Sequence, residues 1–448
     1  MNSLKIGISG VRGVVGETFT PELAVAFAQA FGTYLDAGRI LVCRDTRASG
    51  PMVHASVVAG LLATGCEVFD LGVCPTPSLQ LAVGWLGADG GVSITAGHNP
   101  EPWNALKFVR ADGLYLNAAQ ADELLDIYHQ GEFDKAGWQR IRAEVVRRDA
   151  VEHHLETLAR AFDAEAVRAR RLTVAVDCCN SSCALLSPRW LRTLGCEVLA
   201  LNDDPTAPFP HAPEPTRRTM AQLRAVVTAG RADVGFAHDA DGERLGLVTE
   251  KGEVLGEELT LAVAAEIQLR RQAGPVVTNV STSMMVERVA ARHGARVIRT
   301  PVGQAFVSEA MAEAGAVVGG EGSGGVVVPR VQWTHDAAAA AGLILEHLAT
   351  TGETLSELAE SLPRFAMLKH NIAVEPDRIH SLLQRLHDEL ETEGVPYEQT
   401  DGIKVIRPDG WVHARVSNTE SVLRLIAEAE TEARARELLD WARDRIRK

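Results

Sequence analysis

Residues 40–71 read ILVCRDTRASGPMVHASVVAGLLATGCEVFDL. Residues 40–43 form a short apolar run with strand character, residues 53–63 carry apolar side chains at helical spacing, and residues 67–71 are strand-like again. Strand, crossover helix and second strand make the unit from which parallel sheets are built. A helical stretch precedes it from about residue 20 and a further apolar run follows at 92–95, so the alternation predicts an α/β domain over roughly the first hundred residues.

The same logic recurs downstream. Residues 131–171 are highly charged, with helical periodicity and no strand signal, which predicts a connecting helix and a boundary near residue 150. A second α/β unit has strands at 172–176, 198–201 and 234–237. A hairpin at 245–255 turns on Lys251 and Gly252, and a helix follows at 260–271. A third unit repeats the order with strands at 276–279, 297–300 and 316–319 and a helix at 337–348. This succession predicts duplication of topology without a strong repeat in sequence. After Leu362 and Pro363 come an extended segment, a helix at 378–393, short strands around 403–416 and 422–427, and a charged final helix, together a small α+β domain.

The chain has 448 residues, too many for one core at roughly 150 residues per domain. Hydrophobic residues at 46% and charged residues at 23% are those of a globular chain rather than a disordered or fibrous one. A net charge of −14 argues against a nucleic-acid partner, because such binding rests on clustered Lys and Arg. The start, MNSLKIGISG, has no basic stretch followed by an apolar run, and no apolar run reaches membrane-spanning length, so a cytoplasmic protein is expected. Seven cysteines occur without paired C-x-x-C spacing. Cys178, Cys179 and Cys183 lie close together, but no histidine or fourth cysteine completes a metal set, and reduced core thiols are expected.

Chemistry concentrates in four loops. Residues 239–244 read DADGER after a strand. Asp239, Asp241 and Glu243, at alternate positions of a glycine-containing turn, can converge oxygens on a hard cation such as Mg²⁺, with the solvated acidic turn as the alternative. Residues 95–100 read TAGHNP and lead into WNALKF, where His98 and Lys107 can hold phosphate or exchange protons. Residues 319–325 read GGEGSGG and run into Val326, Val327 and Val328 rather than a helix, which excludes a dinucleotide fingerprint. Glu321 and Ser323 on bare backbone suit sugar hydroxyls. Residues 415–421 read RVSNTES between two strands, where Arg415, Ser417, Asn418 and Thr419 make a nest for a phosphate dianion.

These loops, in this order, resemble the α-D-phosphohexomutase superfamily of phosphoglucomutases, phosphomannomutases and phosphoglucosamine mutases. ISGVRG at 8–13, CRDTRASG at 43–50, CPTPS at 74–78 and TPVGQAFVSEAM at 300–311 resemble further family segments, and the likeness spans the chain. WNALKF and GGEGSGGVVVP are most similar to phosphoglucosamine and phosphomannose mutases. The resemblance implies an α/β protein of three related domains with mixed, largely parallel sheets, at 1–150, 151–255 and 256–363, plus a smaller α+β domain at 364–448, around a central cleft. It implies a Mg²⁺-dependent enzyme that moves phosphate between the 1- and 6-positions of a hexose or hexosamine phosphate through a sugar bisphosphate, as a monomer or homodimer without membrane attachment. By resemblance, Asp239, Asp241 and Glu243 hold the metal and Arg244 supports the transferring phosphoryl group. Glu321 and Ser323 grip sugar hydroxyls, while Arg415, Ser417, Asn418 and Thr419 hold the non-reacting phosphate. Arg12 lies near the reacting group and Lys107 is the general acid or base.

Two positions depart from the family pattern. The family writes T-A-S-H-N-P where this chain has Gly97, so the phosphate-carrying serine is absent, and Glu243 stands where a third aspartate is usual. Gly97 leaves three readings open: an engineered Ser→Gly replacement, a natural phosphosugar-binding homologue that is catalytically silent, or another phosphate carrier, for which His98 is the candidate.

Overall fold

The computed structural model describes residues 4–7, 10–374, 376–416 and 422–447. The first sheet holds β1 (Lys5–Gly7), β2 (Gly10–Val14), β3 (Arg39–Arg44), β4 (Glu67–Val73), β5 (Gly90–Ile94), β6 (Trp103–Arg110) and β7 (Val145–Val146), in the order β1-β2-β6-β5-β3-β4-β7. The second holds β8 (Thr173–Asp177), β9 (Glu197–Leu201), β10 (Val234–His238) and β11 (Leu245–Thr249), ordered β11-β10-β8-β9. In the third, β12 (Val276–Asn279), β13 (Val297–Thr300), β14 (Val318–Glu321) and β15 (Gly325–Val327) take the order β13-β12-β14-β15. The last sheet is wholly antiparallel: β16 (Ala366–Ala373), β17 (Ile403–Arg407), β18 (Gly410–Val416) and β19 (Val422–Ala429), ordered β16-β19-β18-β17.

One pattern underlies the first three sheets. A central strand is flanked by the next two strands in sequence, both parallel to it, and a fourth returns antiparallel to the third. The sets are β3–β6, β8–β11 and β12–β15. The expected duplication of topology is therefore present. The β10 strand, VGFAH, is buried throughout, as a strand covered on both faces must be. The helix Ala337–Thr351 is buried along nearly its whole length and needs no polar face. It starts sharply because the Asp336 carboxylate accepts from the backbone N–H groups of Ala338 and Ala339. No described helix is long and apolar enough to cross a membrane.

Two elements differ from the sequence expectation. Within 131–171 the helices are Ala150–Ala161 and Ala164–Arg170, and Val145–Val146 adds an edge strand parallel to β4 where no strand was expected. Both valines are exposed, so no apolar alternation marks them. The chain is fixed there by backbone pairing and by Arg148, whose Nη2 lies 2.8 Å from Asp70 Oδ2. The third unit's strand, expected at 316–319, runs over Val318–Glu321 because Gly319–Glu321 pair with Gly325–Val327, which places Glu321 at a strand end. All seven cysteines are buried and free, as expected.

A fully buried polar string joins the units. Ser78 Oγ lies 2.8 Å from His154 Nδ1, His154 Nε2 lies 2.9 Å from Asp336 Oδ2, and Gln332 Nε2 donates to the same oxygen at 2.7 Å. The order of groups is that of a hydrolytic triad, but each is closed off from solvent, so the string works as a pin rather than a catalyst. His154→Ala would leave a buried hydroxyl and carboxylate under-satisfied, and is expected to cost about 3 kcal/mol. A lowered thermal midpoint measured by calorimetry, against an unaltered midpoint, decides the point.

Candidate active site

The functional loops occupy equivalent places in the repeated topology. Residues 95–102 join β5 to β6, residues 239–244 join β10 to β11, and residues 322–324 join β14 to β15. Each is the turn where the third strand of its unit reverses into the fourth. In the final domain residues 417–421 join β18 to β19, but Ser417, Asn418 and Thr419 lie outside the described residues, as does Ile8 of the ISGVRG segment.

The acidic turn is the meeting point. Its backbone is held by Thr76 N–H on the Asp241 carbonyl at 2.9 Å, by Ala337 N–H on the Gly242 carbonyl at 3.0 Å, and by Leu245 N–H on the Gly324 carbonyl at 3.0 Å. The hydroxyls of Ser181 and Ser182 donate to the Ala240 carbonyl at 2.6 and 2.7 Å. Gly242 has φ +76°, which glycine adopts without strain. Asp239 and Asp241 are buried at 1% exposure each. Asp239 Oδ1 accepts from the Glu243 and Arg244 N–H groups, both at 3.0 Å.

Lys107, on β6, reaches across and donates to Asp241 Oδ2 and Glu243 Oε2, both at 2.6 Å. The Tyr115 hydroxyl donates to Glu243 Oε1 at 2.5 Å. Arg12, on β2, donates to Asn99 Oδ1 at 3.1 Å, and Arg244 Nη2 lies 3.5 Å from His98 Nε2. Gly97 faces the acidic turn: a Cβ built there would stand 3.3 Å from Asp241 Oδ1. The loops carrying Arg12, Gly97, His98, Lys107 and residues 239–244 are thus in direct contact.

Charge sets the protonation states. Burial, with Asp241 beside it, raises the Asp239 carboxyl well above its usual range. Burial works against ionised Asp241, but the Lys107 ammonium together with the Asp239 hydrogen bond and the Arg244 charge holds that carboxyl low. Burial alone would lower Lys107, yet Asp241 and Glu243 keep it above its ordinary value and protonated. His98 is pushed well down by burial and then by Arg244, Arg12 and Lys107, so it is a neutral imidazole at pH 7.

The donor chemistry suits a hard divalent cation: three carboxylates, with Asp241 Oδ1 buried and without a hydrogen-bond partner among the described residues. Two of the three are engaged by Lys107, and the set does not bring three ligand oxygens within 4.8 Å of one another. One described group does so, His54, Asp70 and Glu144, but Arg148 already pairs with that aspartate.

Glu321 Oε1 accepts from Asn279 Nδ2 at 2.6 Å and from Gly303 N–H at 2.9 Å. Ser323 lies in the turn beside it. Arg415 is lowered by burial but feels Asp401 and, more weakly, Glu321. Its Nε donates to Asp401 Oδ2 at 3.1 Å, and its Nη2 has no partner among the described residues.

Several supporting residues escape a reading of the sequence alone. Arg47, 1% exposed, donates to the carbonyls of Gly97, Asn99, Pro100 and Trp103 at 2.7 to 3.1 Å and pairs with Asp45 at 2.9 Å. Thr95 Oγ1 donates to Asp45 and accepts from Gly97 N–H. The segment CRDTRASG contains both Asp45 and Arg47, but nothing local shows that a loop 50 residues away depends on them. Asp401 is equally hidden: it holds Arg415 and accepts from Val302 N–H at 3.0 Å.

Comparison with known proteins places this architecture. The phosphoglucomutase/phosphomannomutase alpha/beta/alpha domains I, II and III match residues 3–135, 152–252 and 256–365, and the C-terminal domain of the same family matches 370–444. A phosphoglucomutase/phosphomannomutase of Thermococcus kodakarensis is 37% identical over 441 residues, 97% of this chain and 96% of that protein. A phosphoglucosamine/phosphogalactosamine mutase of Sulfurisphaera tokodaii is 34% identical over 97% of each chain. The crystal structure of a phosphoglucomutase/phosphomannomutase family protein from Burkholderia thailandensis superposes with a TM-score of 0.83 at 27% identity, covering 99% of this chain and 96% of that one. Three repeated α/β domains and a small fourth are the build of a phosphohexomutase, an enzyme of the isomerase class. The chain belongs to the phosphoglucomutase/phosphomannomutase family.

Arg47→Met would strip its donors from four carbonyls, those of Gly97 and Asn99 in buried bonds, and leave Asp45 without its guanidinium. Breaking such a buried pair costs about 3–5 kcal/mol. Amide hydrogen exchange is expected to accelerate across residues 95–104; unchanged protection there would show that the loop holds its shape without the guanidinium.

Proposed function

We propose that this chain is built for Mg²⁺-dependent transfer of phosphate between the 1- and 6-positions of a hexose or hexosamine phosphate, with Gly97 in place of the residue that carries the phosphate in between. The relatives named for glucose, mannose, glucosamine and galactosamine phosphates support the substrate class. In this reading the segments 1–150, 151–255, 256–363 and 364–448 each contribute one loop to a monomer or homodimer that works in the cytoplasm.

Asp239, Asp241 and Glu243 would hold the Mg²⁺, and the cation would supply charge withdrawal at a transferring phosphoryl oxygen. Arg244 and Arg12 add fixed positive charge beside the same point. Lys107 carries a proton at Nζ and sits where it can give one to, or take one from, a sugar hydroxyl. Neutral His98 can accept a hydrogen bond without adding charge. Glu321 and Ser323 orient the ring. Arg415, with Ser417, Asn418 and Thr419, holds the distal phosphate, so either end of the sugar can face the acidic turn.

The observation that carries the reading is Gly97, whose Cβ position lies against Asp241 while its loop stays fully braced by Arg47. In this reading the loop keeps its shape and lacks one nucleophilic oxygen. The same observation favours a second reading, a phosphosugar-binding homologue without turnover.

As written, the chain is expected to show little mutase turnover, and Gly97→Ser is expected to create it. The serine would adopt the left-handed φ of +55° at a cost of about 1–2 kcal/mol and shift by a few tenths of an ångström from Asp241. After incubation with a sugar bisphosphate, intact mass should find no added phosphate on the Gly97 chain and one on the serine variant. Robust turnover by the Gly97 chain with phosphate mapped to His98 would overturn the assignment. Separately, Arg415→Ala should weaken binding of a hexose phosphate about tenfold or more in calorimetry. Equal affinity for the unphosphorylated sugar would remove Arg415 from the site.

A further inference from the structure

Lys107 holds the place where a cation would be needed. Its Nζ bridges Asp241 Oδ2 and Glu243 Oε2 at 2.6 Å each, the short distances of charge-assisted hydrogen bonds. The residue is 8% exposed, so this is a buried ion triplet rather than a surface pair. The two remaining carboxylate oxygens of the bridged residues have different fates. Glu243 Oε1 takes the Tyr115 hydroxyl, while Asp241 Oδ1 has no partner among the described residues. The Tyr115 ring lies 5.7 Å from the same ammonium and closes it in from the side.

We propose that the Lys107 ammonium and a divalent cation are alternative occupants of the Asp241 and Glu243 carboxylates, so that filling the cation site releases Lys107 to meet the sugar hydroxyl. The proposal rests on the reading of residues 239–244 as the cation site and of Lys107 as the acid or base. It adds that one event controls both.

The physical case is exclusion. An ammonium and a divalent cation repel, and neither Asp241 Oδ2 nor Glu243 Oε2 can coordinate a metal along the direction in which Lys107 donates to it. Lys107 already brings its positive charge against two of the three carboxylates. A divalent cation entering there meets that ammonium at close range, and expelling the ammonium removes the repulsion. On the carboxylates, Lys107 Nζ is taken up by two strong acceptors. Displaced from them, it is free to meet another oxygen.

Glutamate at 243 makes the latch possible. Its side chain gives one oxygen to Lys107 and the other to Tyr115.

Two measurements on the full chain test the coupling. Calorimetry with Mg²⁺ alone is expected to give about tenfold or tighter affinity for Lys107→Met than for the unaltered chain, because the competing charge is gone. Acetylation of the unaltered chain by an amine-reactive reagent, read by peptide mass spectrometry, is expected to label Lys107 several-fold faster once Mg²⁺ is added, with exposed Lys251 as the internal reference. The second needs no variant and stands if Lys107→Met fails to fold. Mg²⁺ binding with equal or weaker affinity in Lys107→Met, or Lys107 labelling that Mg²⁺ leaves unchanged or slows, overturns the coupling and leaves the cation site standing. Absence of Mg²⁺ binding in both proteins overturns the cation site and the coupling together.

Discussion

Buried carboxylates are tolerable only where opposite charge and hydrogen-bond donors meet them, and the turn 239–244 draws those donors from outside its own sheet. Lys107 and the Thr76 N–H come from the first unit and the Ala337 N–H from the third, while Ser181 and Ser182 donate from the loop after β8 in the turn's own unit. Each unit therefore has one position relative to the others in which the turn is satisfied. The buried string Ser78–His154–Asp336 fixes the same relation from behind, since Asp336 caps the helix whose first N–H holds Gly242. Satisfying this turn and bringing the candidate site residues together are the same requirement.

The order of the chain was legible because burial writes itself into composition. Strands such as β10 are apolar throughout, helices between them have apolar spacing, and repeated alternation gives the parallel sheets. The four loops stand out in the sequence because charge and glycine concentrate in them, and the first three lie where a strand reverses. What the alternation does not reveal is that the first three loops are one position of one repeated unit, the turn from third to fourth strand. That equivalence lies in pairing, not in residue type. The edge strand Val145–Val146 was missed for a related reason: its residues are exposed and its pairing is purely main-chain.

The bracing residues were the least legible. Arg47 reads as one basic residue in a polar loop, yet in the fold it is buried and saturated by carbonyls 50 to 56 residues away. Tyr115 reads as a strand-type aromatic, but its hydroxyl fixes Glu243 128 residues on. Asp401 is the first acidic residue of an ordinary turn, though it aims Arg415 and ties the last domain to Val302. Their roles depend on distant partners, and local pattern carries no record of distant partners.

Gly97 shows how the same bracing separates shape from chemistry. The loop conformation is set from outside, by Arg47 on the Gly97 carbonyl and by Thr95 on its N–H, with Asp45 holding both of those side chains. Nothing in that arrangement uses a side chain at 97. The φ of +55° costs glycine nothing and any L-residue about 1–2 kcal/mol, so a serine at this position is a strained residue held by its surroundings. Such strain persists where it serves a reaction. With glycine at 97, Arg47 and Asp45 keep all the partners named above, and the position carries no nucleophilic atom. The shape of the loop is therefore independent of any chemistry at position 97.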